Sequence, residues 1–279
     1  MIEGLKLAAD SFQKMHHSPP ILVLSNAWDA ASARVFESVG AKAIATTSGG
    51  IAAALGYPDG QKIPLEMMLE AIARIVRAVA VPVTADVEAG YGRSAGDVAE
   101  TTRLIIRAGA VGLNLEDASD DRALPLFEIE EQIARIRAAR EAAEQTGVRI
   151  VVNARTDVFL AEVGEPAQRL NQSVYRANAY REAGADCLFV PGVTDRDTIE
   201  RLVREISGPV NVLASRGTPC VRELEQIGVA RVSVGSGIMR SALALARDAA
   251  RELFDQGSYG TFLDRAIPYG EVNELMKAR

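Results

Sequence analysis

The chain contains 279 residues, of which 48% are hydrophobic and 24% charged, and these proportions suit one large domain with a single core. Its formal net charge at pH 7 is −6, acidic and basic residues are interspersed, and no block of lysines and arginines is present. These features argue against a surface that tracks nucleic-acid phosphates, so no nucleic-acid partner is expected.

The amino-terminal segment, residues 1–20, carries charged side chains and has no apolar core of the kind that a signal peptide needs. No segment approaches the length of an apolar membrane span. We therefore expect an N-terminal helix within residues 1–20 and a cytoplasmic protein without a membrane partner.

Several kinds of active site are disfavoured by the residue types present. The two histidines, His16 and His17, precede the first predicted strand, so neither a Ser-His-Asp triad nor a multi-histidine zinc site is expected. The two cysteines, Cys187 and Cys220, lie in separate segments and are expected to be reduced thiols.

In chain order, short apolar runs alternate with helical patterns, as parallel strands covered by helices require. The runs predicted as strands are 21–25, 43–46, 81–86, 111–116, 150–154, 186–190, 210–213 and 232–234. The helical patterns between them include 65–79, 95–107, 128–146, 165–182 and 194–206. Four glycines, Gly40, Gly109, Gly184 and Gly228, stand where a helix would run into the next strand.

This alternation predicts an α/β fold, a (β/α)8 TIM-type barrel that forms one domain over residues 1–279. A doubly wound open sheet is the alternative. Residues 241–254 are predicted as the last barrel helix and 259–277 as a partly helical tail, which would pack on a neighbour or cap the barrel.

Polar residues collect at the carboxyl ends of the predicted strands, where barrel enzymes place their chemistry. They are Ser25, Asn26, Asp29, Thr47, Ser48, Gly49, Gly50, Asp86, Glu88, Asn114, Glu116, Asp117, Asn153, Arg155, Thr156, Asp157, Asn211, Gly235, Ser236 and Gly237. Together they predict a pocket for a small anion bound through a divalent cation.

Asp86 and Glu88 carry the metal prediction, since alternate residues of an extended segment point to the same side and paired carboxylates favour a cation. Oxygen ligands without thiolate or imidazole select Mg²⁺ or Mn²⁺. We expect Asp86 to bind directly while Glu88 and Glu116 act through water. Asp117, Asp120 and Asp121 are interpreted as ordinary solvated charges or helix caps.

Arg155 follows an apolar strand, and its guanidinium could hold a carboxylate or phosphonate through two parallel hydrogen bonds. The alternative is a structural salt bridge to Glu116 or Asp157, and both roles are compatible. Residues 47–50 offer a hydroxyl and adjacent amides for an oxyanion. Asp59 lies in a predicted β-turn, within a loop that could bring it to the mouth of the barrel.

Several motifs, taken in order, resemble those of the isocitrate lyase and phosphoenolpyruvate mutase superfamily, nearly from end to end of the chain. They are residues 26–34, 47–49, 56–59, 86–92, 114–117, 153–157 and 184–186.

The resemblance implies a barrel whose terminal helices, within residues 241–279, are exchanged between the subunits of a homodimer or homotetramer. It also implies Mg²⁺, with Mn²⁺ as an alternative, chelating an α-keto acid or its enolate. The implied metal residues are Asp86, Glu88 and Glu116, and the implied catalytic residues are Arg155, Asp59 and Glu116. Ser48 and Gly49 would bind the substrate, with Gly50, Trp28 and Asn211 as further candidates.

The sequence departs from that family in the loop after the fourth strand. Residues 118–125 contain no cysteine or histidine, which disfavours the lyase branch, and no lysine or asparagine, which disfavours the mutase branch. In addition, Glu88 stands where many members have Asp.

The reaction least affected by these losses is decarboxylation of a β-keto acid such as oxaloacetate, because it needs no acid from the loop to begin. The expected protein is thus a Mg²⁺-dependent lyase of small α-keto acids or dicarboxylates that works through an enolate. One alternative is C–C or P–C cleavage or mutase chemistry, as in 2-methylisocitrate lyase or phosphonopyruvate/PEP mutase. The other is a non-catalytic keto-acid binder.

Overall fold

The computed structural model describes residues 2–121 and 123–277 of the chain, so Met1, Arg122, Ala278 and Arg279, which fall within predicted segments, lie outside the described residues. Its eight strands form a closed barrel in the order β1 to β8, and every neighbouring pair is parallel. The predicted (β/α)8 barrel is confirmed, and the open sheet is excluded.

Each strand lies within or close to its predicted run. The strands are β1 Leu22–Ala27, β2 Ile44–Thr46, β3 Val83–Asp86, β4 Gly112–Glu116, β5 Val151–Arg155, β6 Cys187–Phe189, β7 Val210–Leu213 and β8 Arg231–Ser233. They are short and almost wholly buried, because helices cover their outer faces.

Twelve helices lie within the described residues. They are α1 Ile2–Lys14, α2 Ala30–Ser38, α3 Ser48–Ala54, α4 Leu65–Ala78, α5 Ala95–Arg107, α6 Ile129–Thr146, α7 Pro166–Glu182, α8 Arg196–Glu205, α9 Val221–Ile227, α10 Gly237–Gln256, α11 Gly260–Leu263 and α12 Tyr269–Met276. Several of the shorter helices were not predicted from the sequence, most importantly α3, whose first residues were interpreted as an oxyanion-binding segment. None of these helices combines the length and apolar character needed to cross a membrane.

The four junction glycines behave as predicted. Gly40, Gly109, Gly184 and Gly228 have φ values of +97°, +96°, +111° and +94°, a region that glycine enters without steric cost. Each one ends a helix and turns the chain into the next strand.

The carboxyl-terminal helices do not cover the barrel as the preceding helices do. Helix α10 has 20 residues, of which only Met239 is buried, while Phe254 is 82% exposed. Helix α12 returns to the barrel, where Arg34 Nη2 of α2 donates to the Lys277 carbonyl at 3.3 Å. The helix predicted at 241–254 is therefore present, but it leaves a largely exposed apolar surface.

Candidate active site

A cavity opens at the carboxyl ends of the strands and brings together many of the predicted site residues. Its wall includes Asn26, Ser48, Gly49, Asp59, Asp86, Asn114, Arg155, Asn211, Arg231 and Ser236. Strand register explains the grouping, since Asp86 pairs with Asn114 across β3 and β4, and Glu116 pairs with Arg155 across β4 and β5. Residues in register point to the same side, here into the barrel.

Asp86, the last residue of β3, is held by three donors. Its Oδ2 accepts from the backbone N of Ser48 at 3.0 Å and from Ser48 Oγ at 2.8 Å, and its Oδ1 accepts from Asn114 Nδ2 at 3.0 Å. Ser48 is the first residue of α3, so the amide that meets this carboxylate is a helix-terminal one. These contacts fix the orientation of Asp86 toward the cavity.

Glu88 reaches the same region by a different backbone path from the predicted extended one. The strand ends at Asp86, and Glu88 has a left-handed φ of +51°. Its carbonyl accepts from the backbone N of Glu116 at 3.0 Å, and its Oε2 accepts from the backbone N of Gln61 at 2.7 Å. The carboxylate therefore lies between the loop after α3 and the end of β4.

The other oxygen of Glu88, Oε1, is buried and has no hydrogen-bond partner among the described residues. Burial, together with the nearby carboxylates of Asp86 and Asp59, raises the pKa of Glu88 from 4.5 to about 7. A cation bound beside this oxygen would give it a partner and would reduce the repulsion among the three carboxylates.

Arg155 joins this acidic group to the next part of the site. Its Nη1 lies 2.7 Å from Glu116 Oε2, while Nε and Nη2 donate to the two oxygens of Asp157 at 2.5 and 2.7 Å. The predicted structural salt bridge is thus present with both partners. Arg155 also lies on the cavity wall, so the geometry is compatible with the second, substrate-binding role.

The donor set fits a hard divalent cation. In the described part of the chain, no three His, Cys, Asp or Glu side chains converge as a complete set of metal ligands. Mg²⁺ commonly takes only one or two protein carboxylates and completes its shell with water and substrate. Asp86 and Glu88 could supply those carboxylates.

Asp59 is on the cavity wall and packs against the start of α3. A Cβ added at Gly49 would lie 2.7 Å from Asp59 Oδ2, closer than real Cβ contacts allow. The absence of a side chain at Gly49 therefore permits the loop that carries Asp59 to approach the start of α3 closely.

Some predicted site residues do not reach the cavity wall. The backbone N of Gly50 donates to Thr47 Oγ1 at 3.4 Å, which caps α3, and Trp28 packs edge-on against Phe36 with ring centroids 6.2 Å apart. Both therefore have evident structural roles. Glu88 and Glu116 are not among the wall residues, whereas Asn211 is.

Asp117 is not the solvated charge that the sequence analysis expected. It is fully buried, and it accepts from Thr156 Oγ1 at 2.7 Å, Tyr180 OH at 2.7 Å and Arg176 Nη1 at 3.2 Å. It also accepts from the backbone N of Asp157 at 2.9 Å. The network therefore supports the segment whose Asp157 side chain orients Arg155. These partners are 39 to 63 residues away in the chain, so no local sequence pattern predicts them.

Arg231 is the charged wall residue that was not predicted from the sequence. It is 2% exposed and is the first residue of β8, directly before the predicted run 232–234. An arginine at the edge of a buried apolar run is the signal that could have identified it.

The loop after β4 closes on itself away from the cavity. Ala118 and Leu126 form an isolated antiparallel bridge, and Ser119 Oγ donates to the Leu124 carbonyl. Of residues 118–121 and 123–126, none lies on the cavity wall, and Arg122 is outside the described residues. The described part of the loop supplies no acid or base to the cavity.

Comparisons with known proteins agree with this architecture. The family model described as phosphoenolpyruvate phosphomutase matches residues 12–254. Oxaloacetate decarboxylase 2 of Pseudomonas fluorescens Pf0-1 is 32% identical, over 71% of this chain and 67% of that protein. The 2-methylisocitrate lyase of Escherichia coli K12 is 30% identical, over 85% and 81%.

Among solved structures, a Burkholderia cenocepacia J2315 protein described as a lyase/mutase superposes with a TM-score of 0.91 at 37% identity, covering 98% of this chain and 96% of that one. The family match and the structural superposition therefore both extend over nearly the whole barrel. The chain belongs to the phosphoenolpyruvate phosphomutase family and is an enzyme of the isocitrate lyase and PEP mutase superfamily.

Proposed function

We propose that this enzyme is a Mg²⁺-dependent lyase of small α-keto acids, with Mn²⁺ as an alternative ion, and that its reaction is oxaloacetate-type decarboxylation through an enolate. The oxaloacetate decarboxylases among the relatives support this substrate class. The loop geometry favours decarboxylation over the alternatives, because the described residues after β4 place no proton donor in the cavity.

The charge balance of the site is the observation that carries the proposal. Five carboxylates, those of Asp59, Asp86, Glu88, Glu116 and Asp157, lie around two guanidinium groups, those of Arg155 and of Arg231 deeper in the cavity. An anionic substrate would be repelled from such a group unless a cation bound there first. The orphaned Oε1 of Glu88 marks where the positive charge is lacking.

A divalent cation held by Asp86 and Glu88 would supply a Lewis acid for the keto oxygen and charge neutralisation for the carboxylates. Ser48 and Asn114 keep Asp86 in its orientation through the hydrogen bonds described above. They limit the rotation of a carboxylate that must stay in place during turnover.

Arg155 is positioned to stabilise the negative charge that develops when CO₂ leaves. Of its five N–H groups, three are directed to Glu116 and Asp157, and two remain for a substrate oxygen. Because its fork is held on two sides, little reorganisation is needed as charge develops. The amide of Gly49 lies on the same wall and could add a second donor, and water would protonate the enolate.

The proposal is tested by mixing the purified protein with oxaloacetate and Mg²⁺ and following pyruvate formation, with the metal-only reaction as the baseline. Turnover above that baseline, lost on chelation, is expected. A rate equal to the baseline would reject the decarboxylation. Products from 2-methylisocitrate or phosphonopyruvate alone would instead support the cleavage or mutase alternatives, and calorimetric binding of intact keto acid without product would support a binder.

Glu88 is expected to make metal-free stability depend on pH. Its pKa of about 7 in the folded protein exceeds the ordinary 4.5, so the folded state holds a proton that the unfolded state releases between these values. Stability of the metal-free protein should therefore fall as pH rises from 4.5 to 7, by up to about 3 kcal/mol. Thermal unfolding across this range measures the effect.

Mg²⁺ should reverse that loss above pH 7, because it favours the ionised carboxylate. In Glu88→Gln the pH-dependent component and its reversal should both disappear. The same pH profile in Glu88→Gln and in the wild type would refute the assignment.

We also propose that the enzyme is a homodimer or homotetramer in which a second copy covers the exposed helices α10–α12. Apolar side chains that are at least half exposed, including Leu243, Phe254, Leu263 and Tyr269, support it. Light scattering should then give two or four times the chain mass of 29.8 kDa. Phe254→Asp should lower the measured mass, and a monomeric wild type would contradict the proposal.

A further inference from the structure

Arg231 lies deep in the barrel and has no role in the site described so far. It is the first residue of β8, in register with Asn211 of β7 on one side and Leu22 of β1 on the other. Its Nε and Nη1 are buried and have no hydrogen-bond partner among the described residues. Arg231 nevertheless lines the same cavity as Asp86, so a ligand in the cavity can reach it.

A buried guanidinium without a partner is costly, and arginine does not avoid the cost by losing its proton. The neighbouring groups do not neutralise it. Burial lowers the pKa of His16 to about 3, an effect that Arg231 reinforces, and burial raises the pKa of the Cys187 thiol to about 12. Both groups are therefore neutral at physiological pH. Asp86 contributes electrostatically, but its oxygens already accept from Ser48 and Asn114.

Other polar side chains on the cavity wall also have hydrogen-bonding capacity that is not satisfied by the described residues. Thr84 Oγ1 is buried and has no partner among the described residues, and the side chains of Asn211 and Ser233 hydrogen-bond each other at 3.3 Å. A carboxylate entering the lumen would meet a charged donor and up to three neutral ones. It would also be enclosed by β3, β7 and β8, the strands that carry them.

We propose that Arg231, with Thr84 and Asn211, forms a carboxylate subsite in the barrel lumen that holds the second carboxylate of a dicarboxylic keto acid. The inference rests on the proposed function for the identity of the substrate, and it makes the enzyme selective for dicarboxylates over monocarboxylates. In decarboxylation this carboxylate leaves as CO₂, so the contact is made in the ground state and weakens toward the transition state; it strengthens binding and does not accelerate the chemical step.

The experiment compares two ligands that differ by one carboxylate and that the proposed reaction does not consume, malate and lactate, by calorimetry in the presence of Mg²⁺. We expect the wild type to bind malate at least about tenfold more tightly than lactate. In Arg231→Met, which keeps length and removes charge, the ratio should fall to about one while Mg²⁺ binding alone is unchanged. Arg222→Met, at an exposed position, should behave as the wild type.

Two further measurements separate ligand binding from a structural role. Arg231→Met should be at least as stable to heat as the wild type without ligand, because it removes an unpaired buried charge. If oxaloacetate is the substrate, the variant should raise KM about 10-fold or more without lowering kcat, because the contact is made with the carboxylate that leaves as CO₂.

An unchanged malate-to-lactate ratio in Arg231→Met would overturn the subsite, as would a wild type that does not discriminate between the two acids. Loss of thermal stability in the variant with the ratio preserved would assign Arg231 to the fold. A wild type that discriminates in this way but does not turn over oxaloacetate would retain the subsite and reject the proposed reaction.

Discussion

Asp86→Asn is expected to lower kcat/KM for the metal-dependent reaction by at least about 10³-fold, the largest catalytic effect of any single substitution considered. Because asparagine has nearly the size of aspartate, the backbone of β3 should be unchanged. The hydrogen bonds from Ser48 and Asn114 are perturbed, because one of the two accepting oxygens becomes an NH₂ group. What is lost is the negative charge that would bind the cation directly. Without that cation, the remaining carboxylates repel the substrate.

Two measurements check this expectation. Calorimetry should show that Asp86→Asn binds Mg²⁺ much more weakly than the wild type, and pyruvate formation should fall to the metal-only baseline. Asp10→Asn, the same change at an exposed position on α1, is the matched control and should leave both quantities unchanged. Wild-type turnover in Asp86→Asn would remove this residue from the metal site.

Asp117→Ala is expected to lower the free energy of unfolding by about 3–5 kcal/mol, the largest stability effect predicted for this protein. The substitution leaves the guanidinium of Arg176 and the hydroxyl of Tyr180 without their buried carboxylate partner. It also removes the acceptor for the backbone N of Asp157. Unpaired buried groups, rather than lost packing, account for the size of the effect.

Chemical denaturation measures this loss, with Asp120→Ala as the control. Asp120 is three residues away and exposed, so its substitution should change stability by less than about 0.5 kcal/mol. Because Asp117 supports the segment that orients Arg155, folded Asp117→Ala should also show reduced activity. Equal stability of the two variants would contradict the network described here.

The barrel itself could be predicted from the sequence because its determinants are local. Short apolar runs, helical spacing between them and a glycine at four of the helix-to-strand junctions are properties of neighbouring residues. Gly109, for example, has the left-handed φ that its position before β4 requires. The sequence also predicted that Asp86 and Arg155 lie at the carboxyl ends of their strands, because this placement depends only on where the strands end.

The details of the site depended on residues that are distant in the chain. Helix α3 was not predicted, because Ser48, Gly49 and Gly50 are weak helix formers, and its first turn is held by Thr47 and by the carboxylate of Asp86. Glu88 reaches the acidic group through a left-handed turn rather than an extended strand. Neither feature is visible in local periodicity.

The amino-acid sequence by itself determined the strand order, the end of the barrel that carries the chemistry and the acidic character of that end. Only the tertiary structure decided which charges are paired. Asp117 was interpreted as a surface charge and is buried with partners from the segment after β5 and from α7. Arg231 was not predicted as a site residue and is a buried charge on the cavity wall. The physical reason is that burial and pairing depend on the closure of the barrel, which brings together side chains that the sequence keeps far apart.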